Sequence, residues 1–231
     1  MLYIDYKPEP HQVEFHASDS KYRLALGGYG TGKTTMCCAE VADHADSTSN
    51  GRTLITAPKL QLFEDAILPE LLKFFPKDIY TSKKSPWSFK FANGHEIVVY
   101  ASNDEENLRS LNLSFFYMEE ASNIKHEIFV QLQSRLRNGS AIYYDDFGNL
   151  IYDGTKGIVS SNPEQGWLVD EFLMRSNKIF ASPSVDTSAY EVLRDETSPY
   201  FEAFLSSTRD NSYLPPTYVP SLTAGKSKAW V

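Results

Sequence analysis

The chain has 231 residues, of which 42% are hydrophobic and 23% charged, and its formal net charge is −8 at neutral pH. These values fit one compact α/β domain, and the acidic total excludes a protein that coats nucleic acid over its whole surface, although a local basic patch stays possible. No run approaches the roughly 18 to 20 apolar residues of a membrane span, and the N-terminus lacks signal-peptide regions, so we expect a cytoplasmic protein without membrane contact. The adjacent Cys37 and Cys38 cannot build a disulfide framework.

Short apolar or β-branched runs alternate with helical stretches, a pattern typical of a mostly parallel sheet flanked by helices. The predicted strands are Arg23–Leu26, Thr53–Ala57, Glu96–Ala101, Ser114–Met118, Gly157–Ser161 and Lys178–Ser182. Three helices are predicted. One begins at Lys33, one covers Lys59–Phe75 and stops at Pro76, and one covers Lys125–Arg137 and stops at Asn138-Gly139. Two β-hairpins decorate this core, Trp87–Tyr100 turning at Asn93-Gly94 and Ile142–Tyr152 turning near Gly148-Asn149. Residues 1–182 are the predicted core, and residues 183–231, rich in Ser, Pro and Tyr, are predicted to be an irregular segment or linker.

The strongest motif is GGYGTGKT at residues 27–34, which satisfies the P-loop pattern G-x-x-x-x-G-K-[ST]. It lies between a predicted strand and a predicted helix, where backbone N–H groups and the helix N-terminus can cradle phosphates. Lys33 is expected to contact the β- and γ-phosphates, and the Thr34 hydroxyl to bind Mg²⁺. A glycine-rich turn with a chance lysine is the alternative. The predicted cofactors are therefore ATP and Mg²⁺, and the predicted phosphate-binding residues are Gly27, Gly28, Tyr29, Gly30, Thr31, Gly32, Lys33, Thr34 and Thr35.

A second motif supplies carboxylates, because the apolar run Leu113–Met118 is followed directly by Glu119 and Glu120. At a strand end, one carboxylate can hold the metal and the next can orient the attacking water, so we assign Glu119 to Mg²⁺ and Glu120 to water. The alternative is an acidic helix N-terminus. The [NT]-K-x-D motif that reads guanine is absent, since Asn177-Lys178-Ile179-Phe180 lacks the aspartate. The pair therefore predicts ATP hydrolysis.

Taken together, these motifs resemble the ATPase domain of the large terminase subunit of tailed bacteriophages, the motor that drives DNA into the procapsid. The resemblance runs from about Pro10 to the C-terminus. It implies a P-loop NTPase of the ASCE type, ATP-powered translocation of double-stranded DNA, and a homo-oligomeric ring in the cytoplasm of the infected host. It also implies the portal protein and the small terminase subunit as partners. The family's nuclease domain needs its own carboxylate cluster, so nuclease activity is not expected from residues that end at Val231.

The resemblance extends roles to residues outside the two motifs. Gln12, in PHQVEF, matches a glutamine that reads adenine in this family, although a lone glutamine is usually a surface residue. Arg109, in the stretch before the acidic strand, becomes a candidate arginine finger supplied to a neighbouring subunit. A salt bridge with Glu105 or Glu106 is its alternative role.

One departure raises the importance of that arginine. Many family members have an arginine inside the P-loop, where this chain has Tyr29. The missing cation then has to come from elsewhere, from Arg109 or, as weaker candidates, from Arg135 or Arg137.

Beyond the acidic pair, GIVSSNPEQGW resembles the family's coupling motif. Ser160, Ser161 and Asn162 are candidates for sensing the γ-phosphate by hydrogen bonding and passing on its loss. An ordinary turn begun by Asn-Pro is the alternative.

A loose group of lysines around a loop with Pro and Trp could touch DNA phosphates, or could be a solvated basic surface: Lys73, Lys77, Lys83, Lys84 and Lys90. Two other functions also fit the motifs. One is a helicase-like ATPase that remodels nucleic acid without packaging it, and the other is a module that binds nucleotide without turnover.

Overall fold

The computed structural model describes residues 6–138, 143–144, 150–152, 154–188 and 197–224. The α-helices are α1 (Pro10–Ala17), α2 (Lys33–Ser47), α3 (Leu60–Leu62), α4 (Leu68–Phe74), α5 (Glu105–Arg109), α6 (His126–Gln133) and α7 (Tyr218–Thr223). The strands are β1 (Tyr22–Gly27), β2 (Arg52–Ala57), β3 (Tyr80–Lys84), β4 (Trp87–Phe91), β5 (Glu96–Ala101), β6 (Phe115–Met118), β7 (Tyr143–Tyr144), β8 (Leu150–Tyr152), β9 (Lys156–Ser161), β10 (Ser176–Ala181) and β11 (Ser198–Ser206). No helix in these ranges combines the length and apolar character needed to cross a membrane.

Nine strands form one sheet in the order β10-β11-β1-β9-β6-β2-β5-β4-β3. Every pair from β10 to β5 is parallel, and β4 and β3 add an antiparallel ribbon at one edge. The predicted α/β fold with a mostly parallel sheet is therefore confirmed, as is the first hairpin. The strand β9 lies between β1, which ends at the P-loop, and the acidic strand β6, a strand order that agrees with the resemblance.

Apolar layers cover both faces of the sheet, so its central strands are buried on both sides. On one face, α2 packs through residues such as Val41 onto Ala25 and Ile55. On the other face, Phe129 of α6 packs against Phe116 and neighbouring residues. The carboxyl ends of the parallel strands lie side by side along one end of this packed sheet.

Of two helix predictions, the one over Lys59–Phe75 is confirmed in its extent and the one that ends at Arg137 is too long. The stretch predicted as one helix over Lys59–Phe75 contains a π-helical turn, Phe63–Ile67, between α3 and α4. Pro69, which has no N–H to donate, follows that turn at the second residue of α4. The helix predicted to reach Arg137 ends at Gln133, because the chain after it pairs with Leu113, whose N–H donates to the carbonyl of Arg135 at 2.8 Å.

The chain after residue 182 also differs from the irregular segment that its composition predicts. Ser198–Ser206 is a nine-residue strand, β11, which pairs with β1 on one side and β10 on the other. Its apolar residues, such as Phe204 and Leu205, are buried, and pairing with β1 satisfies the backbone groups of both strands. Of the second hairpin, β7 and β8 pair antiparallel, and its turn at Gly148-Asn149 lies outside the described residues.

Candidate functional site

The P-loop lies at the carboxyl end of β1, where that strand ends at Gly27 and α2 begins at Lys33. Gly30 and Gly32 adopt positive φ values of 73° and 83°, which side-chain-bearing residues rarely reach. The loop therefore has the backbone conformation that turns N–H groups inward. It lines a cleft of about 330 Å³ together with residues from other strands, including Glu119, Glu120, Ser161 and Asn162.

Lys33 reaches back across the loop that precedes it. Its Nζ donates to the carbonyls of Gly27 at 2.7 Å and Gly28 at 2.8 Å, and to Oδ1 of Asn162 at 3.3 Å. Burial lowers the pKa of Lys33, while the nearby carboxylate of Glu119 opposes that shift. The amine is thus held against the loop and lines the cleft.

A hydroxyl and a carboxylate meet at the start of α2, as a Mg²⁺ site in a P-loop protein requires. Oγ1 of Thr34 lies 3.3 Å from Oε1 of Glu119, while Ser160 donates to the other oxygen, Oε2, at 2.8 Å. Both are the hard oxygen ligands that Mg²⁺ prefers, and the rest of its shell is usually water and phosphate. Burial raises the pKa of Glu119, and the Ser160 hydrogen bond counteracts the rise. The residues therefore fit a magnesium ion, and the extra methylene of Glu119 does not prevent its contact with Thr34.

Glu120 stands out by its backbone, because its φ of 49° is left-handed. Such a conformation is uncommon for a residue with a side chain and costs of the order of 1 kcal/mol or more. It turns the chain sharply after β6, so that Glu119 and Glu120 both line the cleft instead of pointing to opposite sides. Glu120 is also the residue that precedes the 3-10 helix Ala121–Asn123, so the acidic pair lies at a helix start as the alternative expected, although the side chain of Glu120 makes no capping hydrogen bond.

The three candidate coupling residues each contact a different part of the site. Ser160 bonds Glu119, Oγ of Ser161 accepts the N–H of Ser122 at 3.2 Å, and Asn162 accepts from Lys33. The position of β9 between β1 and β6 makes these contacts possible. Residues 160–162 thus bridge the P-loop and the acidic strand.

Gln12 lies beside a second cleft of about 390 Å³, which shares Gly32 and Thr35 with the first. Its Oε1 accepts the N–H of Glu9 at 2.9 Å, which caps α1, and its Nε2 lies 3.5 Å from the carbonyl of Gly32. The glutamine is buried, so the alternative of a surface residue is excluded.

Arg109 does not reach the cleft of its own chain. It is exposed on α5 and pairs with Glu105 at 3.0 Å, the local salt bridge that the sequence offered as the alternative. Arg135 donates to the carbonyl of Arg109 at 2.9 Å and also lies outside the cleft lining. Tyr29, at the position of the family's P-loop arginine, lines the cleft and is 63% exposed.

Several contacts at the site come from residues that sequence reasoning missed. Glu70 lines the phosphate cleft and accepts the hydroxyl of Thr35 at 2.8 Å. After β11, Thr208 and Asn211 donate to the carbonyls of Tyr29 and Gly30 at 2.7 and 2.6 Å. These partners are far apart in sequence and belong to no local motif, so no pattern along the chain could have indicated them.

The similarities to known proteins agree with this geometry. A sequence model of the family described as phage terminase large subunit matches residues 19–228. The chain is 26% identical over 226 residues to the PBSX phage terminase large subunit of Bacillus subtilis. This match covers 88% of the chain and 45% of that protein.

Two solved structures share the fold. One, the ATPase domain of a Thermus phage large terminase, has a TM-score of 0.62 and 18% identity over 88% of this chain and 82% of that one. The other, the large terminase of a thermophilic bacteriophage in complex with ADP, has a TM-score of 0.65 and 14% identity over 93% and 49%. The chain spans about half the length of the full-length relatives it matches. It belongs to the phage terminase large subunit family.

Proposed function

We propose that this chain is the ATP-hydrolysing motor part of a terminase and that it powers translocation of double-stranded viral DNA into a procapsid. The observation that carries the proposal is that Lys33 and Thr34, which follow β1, meet Asn162 after β9 and Glu119 after β6, at the carboxyl ends of three adjacent strands. This arrangement offers a cation for phosphate, a hydroxyl and a carboxylate for Mg²⁺, and a second carboxylate for water.

Each residue has a distinct part in the proposed reaction. The P-loop N–H groups and Lys33 bind the phosphates, and Thr34 with Glu119 would hold Mg²⁺, which supplies neutralisation of phosphate charge. Glu120 orients a water molecule and takes its proton as the water oxygen bonds to the γ-phosphorus, while the bond from that phosphorus to the β–γ bridging oxygen breaks and ADP leaves. Asn162, bonded to Lys33 in this structure, is free to exchange that contact when phosphate occupies the site, which supports its proposed role in coupling.

An arginine from a neighbouring subunit completes the site in this proposal. Among the described residues that line the cleft there is no arginine, whereas Arg109 is exposed and able to contact another subunit. Breaking its exposed pair with Glu105 costs little, because surface salt bridges contribute about 0–1 kcal/mol. Turnover per subunit should therefore rise with protein concentration, and Arg109→Ala should remove the rise.

The partners follow from membership of the family and are proposals for this chain: double-stranded DNA, the portal protein, the small terminase subunit and further copies of itself in a ring. The proposed location is the cytoplasm of the infected bacterium. The β3–β4 ribbon presents exposed lysines to DNA, of which Lys84 and Lys90 lie 3.7 Å from Glu64 and Glu96. Such contacts would be weak and sensitive to salt.

The proposal is tested by phosphate release from ATP at increasing Mg²⁺ concentration. We expect turnover to require Mg²⁺ and Glu119→Gln to need a higher Mg²⁺ concentration for half-maximal turnover, because one charged ligand is lost. ADP binding with no turnover at any protein concentration would refute the motor and favour the nucleotide-binding module.

A further inference from the structure

The carbonyl groups at the tip of the P-loop accept hydrogen bonds from a distant part of the chain, the segment of residues 207–213 that follows β11. Oγ1 of Thr208 donates to the carbonyl of Tyr29 at 2.7 Å, and Nδ2 of Asn211 donates to the carbonyl of Gly30 at 2.6 Å. The two carbonyls before them accept instead from Lys33, inside the motif itself. The tip of the loop is therefore held from outside the motif.

These two hydrogen bonds also fix the direction of two N–H groups. In a planar trans peptide unit, the C=O and the N–H point in opposite directions. The carbonyl of Tyr29 shares its unit with the N–H of Gly30, and the carbonyl of Gly30 shares its unit with the N–H of Thr31. Thr208 and Asn211 lie outside the described lining of the phosphate cleft, so the carbonyls that they hold point away from it. The N–H groups of Gly30 and Thr31 are thereby directed toward the cleft.

The position of Gly30 and Thr31 indicates which phosphates these N–H groups meet. Both residues line the phosphate cleft alone, whereas Gly32 and Thr35 line it together with the second cleft. A nucleotide that spans both clefts has its nucleoside in the second one and its outer phosphates away from the junction, toward Glu120. The N–H groups of Gly30 and Thr31 therefore face the outer phosphates, and donors held in place before the ligand arrives bind it most tightly.

The segment 207–213 can hold the loop because it is itself bonded on two sides. Toward the end of β10, a carboxylate oxygen of Asp210 accepts the hydroxyl of Ser182 at 2.6 Å. Toward α1, Ser212 donates its N–H and its hydroxyl to Oε1 of Glu9, at 2.7 and 2.6 Å. The donors that reach the loop thus project from a segment that is attached both to the sheet and to the N-terminal helix.

We propose that Thr208 and Asn211 are positioning residues for ATP binding, which hold the N–H groups of Gly30 and Thr31 ready for the outer phosphates. The inference rests on the proposed ATP site. The amide of Asn211 is oriented for this role, because its Oδ1 accepts the N–H of Tyr213 at 2.9 Å and its Nδ2 then faces the loop. Neither side chain touches the phosphates; both act through the backbone of the loop.

The test compares ADP with AMP, which lacks the β-phosphate, by calorimetric titration with ADP and by displacement of ADP with AMP. The nucleoside and the α-phosphate are common to both ligands, so the ratio of their affinities isolates binding of the β-phosphate. Thr208→Val keeps the shape of the side chain but removes its donor, and should lower the preference for ADP by about three- to tenfold, the effect of one hydrogen bond. Thr208→Ser keeps a hydroxyl and should return the preference toward that of the parent chain.

Thr217→Val is the matched control, because Thr217 is exposed just beyond the segment and its side chain makes no capping hydrogen bond to α7. It should bind ADP and AMP as the parent does. A general loosening of the site would weaken both ligands together, so a Thr208→Val preference equal to that of the parent would overturn the inference. An equal fall in Thr208→Val and Thr208→Ser would overturn it too. A parent chain without any preference for ADP over AMP would instead refute the proposed phosphate site itself.

Discussion

Replacing Ser160 with alanine should move the acid side of the pH profile of ATP turnover to higher pH. Ser160 is fully buried and donates to Oε2 of Glu119 at 2.8 Å, so it stabilises the ionised carboxylate that binding of Mg²⁺ requires. Removing a donor to a buried charge costs about 1.5–3 kcal/mol, and one pKa unit corresponds to about 1.4 kcal/mol. The pKa of Glu119, which burial already raises, should therefore rise further when this hydrogen bond is lost, which moves the acid limb of the profile to higher pH.

The assay is kcat/KM for ATP at saturating Mg²⁺ across the acid range, because this quantity reports ionisations of the free enzyme. Ser160→Thr retains a hydroxyl and should return the profile toward that of the parent. Thermal unfolding of both variants checks that the fold is kept. If Ser160→Ala lowers the plateau but leaves the acid limb where it was, the hydrogen bond to Glu119 does not control that ionisation.

Three further changes give distinct outcomes. Burial lowers the pKa of His44 to about 3, so between pH 6.5 and 5 the unfolded chain takes up a proton at this residue and the folded chain does not. The free energy of unfolding should therefore fall by about 2 kcal/mol between pH 8 and pH 5. Urea unfolding of His44→Gln should show a smaller fall over the same range. Glu120→Asn should abolish turnover yet raise stability by up to about 1 kcal/mol, since asparagine tolerates a left-handed backbone, whereas Glu120→Gln should lose turnover without that gain. Gly30→Ala should weaken ADP binding in calorimetry by about tenfold or more, because φ there is 73° and an added Cβ would lie 3.1 Å from the ring of Tyr218. An unchanged affinity would contradict the need for a glycine at this position.

Local patterns predicted the parts of the site that local chemistry determines. The P-loop could be predicted because its glycines, lysine and threonine must follow one another at the junction of a strand and a helix. The position of Glu119 and Glu120 at a buried strand end was equally visible. The left-handed backbone of Glu120 was not, because nothing in its residue type favours that conformation.

Long-range pairing explains what the sequence did not indicate. The contact between Lys33 and Asn162 exists because β9 inserts between β1 and β6, and strand order depends on packing across the whole sheet. The strand β11 was missed because its flanking Ser, Pro and Tyr residues are typical of irregular chain, while burial against β1 overrides that tendency. Gln12 was predicted to read adenine, which stays a prediction, but its bonds to Glu9 and Tyr6 required the folded structure.

The most direct test of the account compares ATP turnover and ADP affinity in one preparation of Glu120→Gln with the same measurements on the parent chain. The account predicts an unchanged ADP affinity, because Lys33 and the P-loop are intact, and turnover lower by about 100-fold or more, because the group that activates water is lost. Turnover at the parent rate would contradict the assignment of Glu120 and, with it, the proposed hydrolytic site.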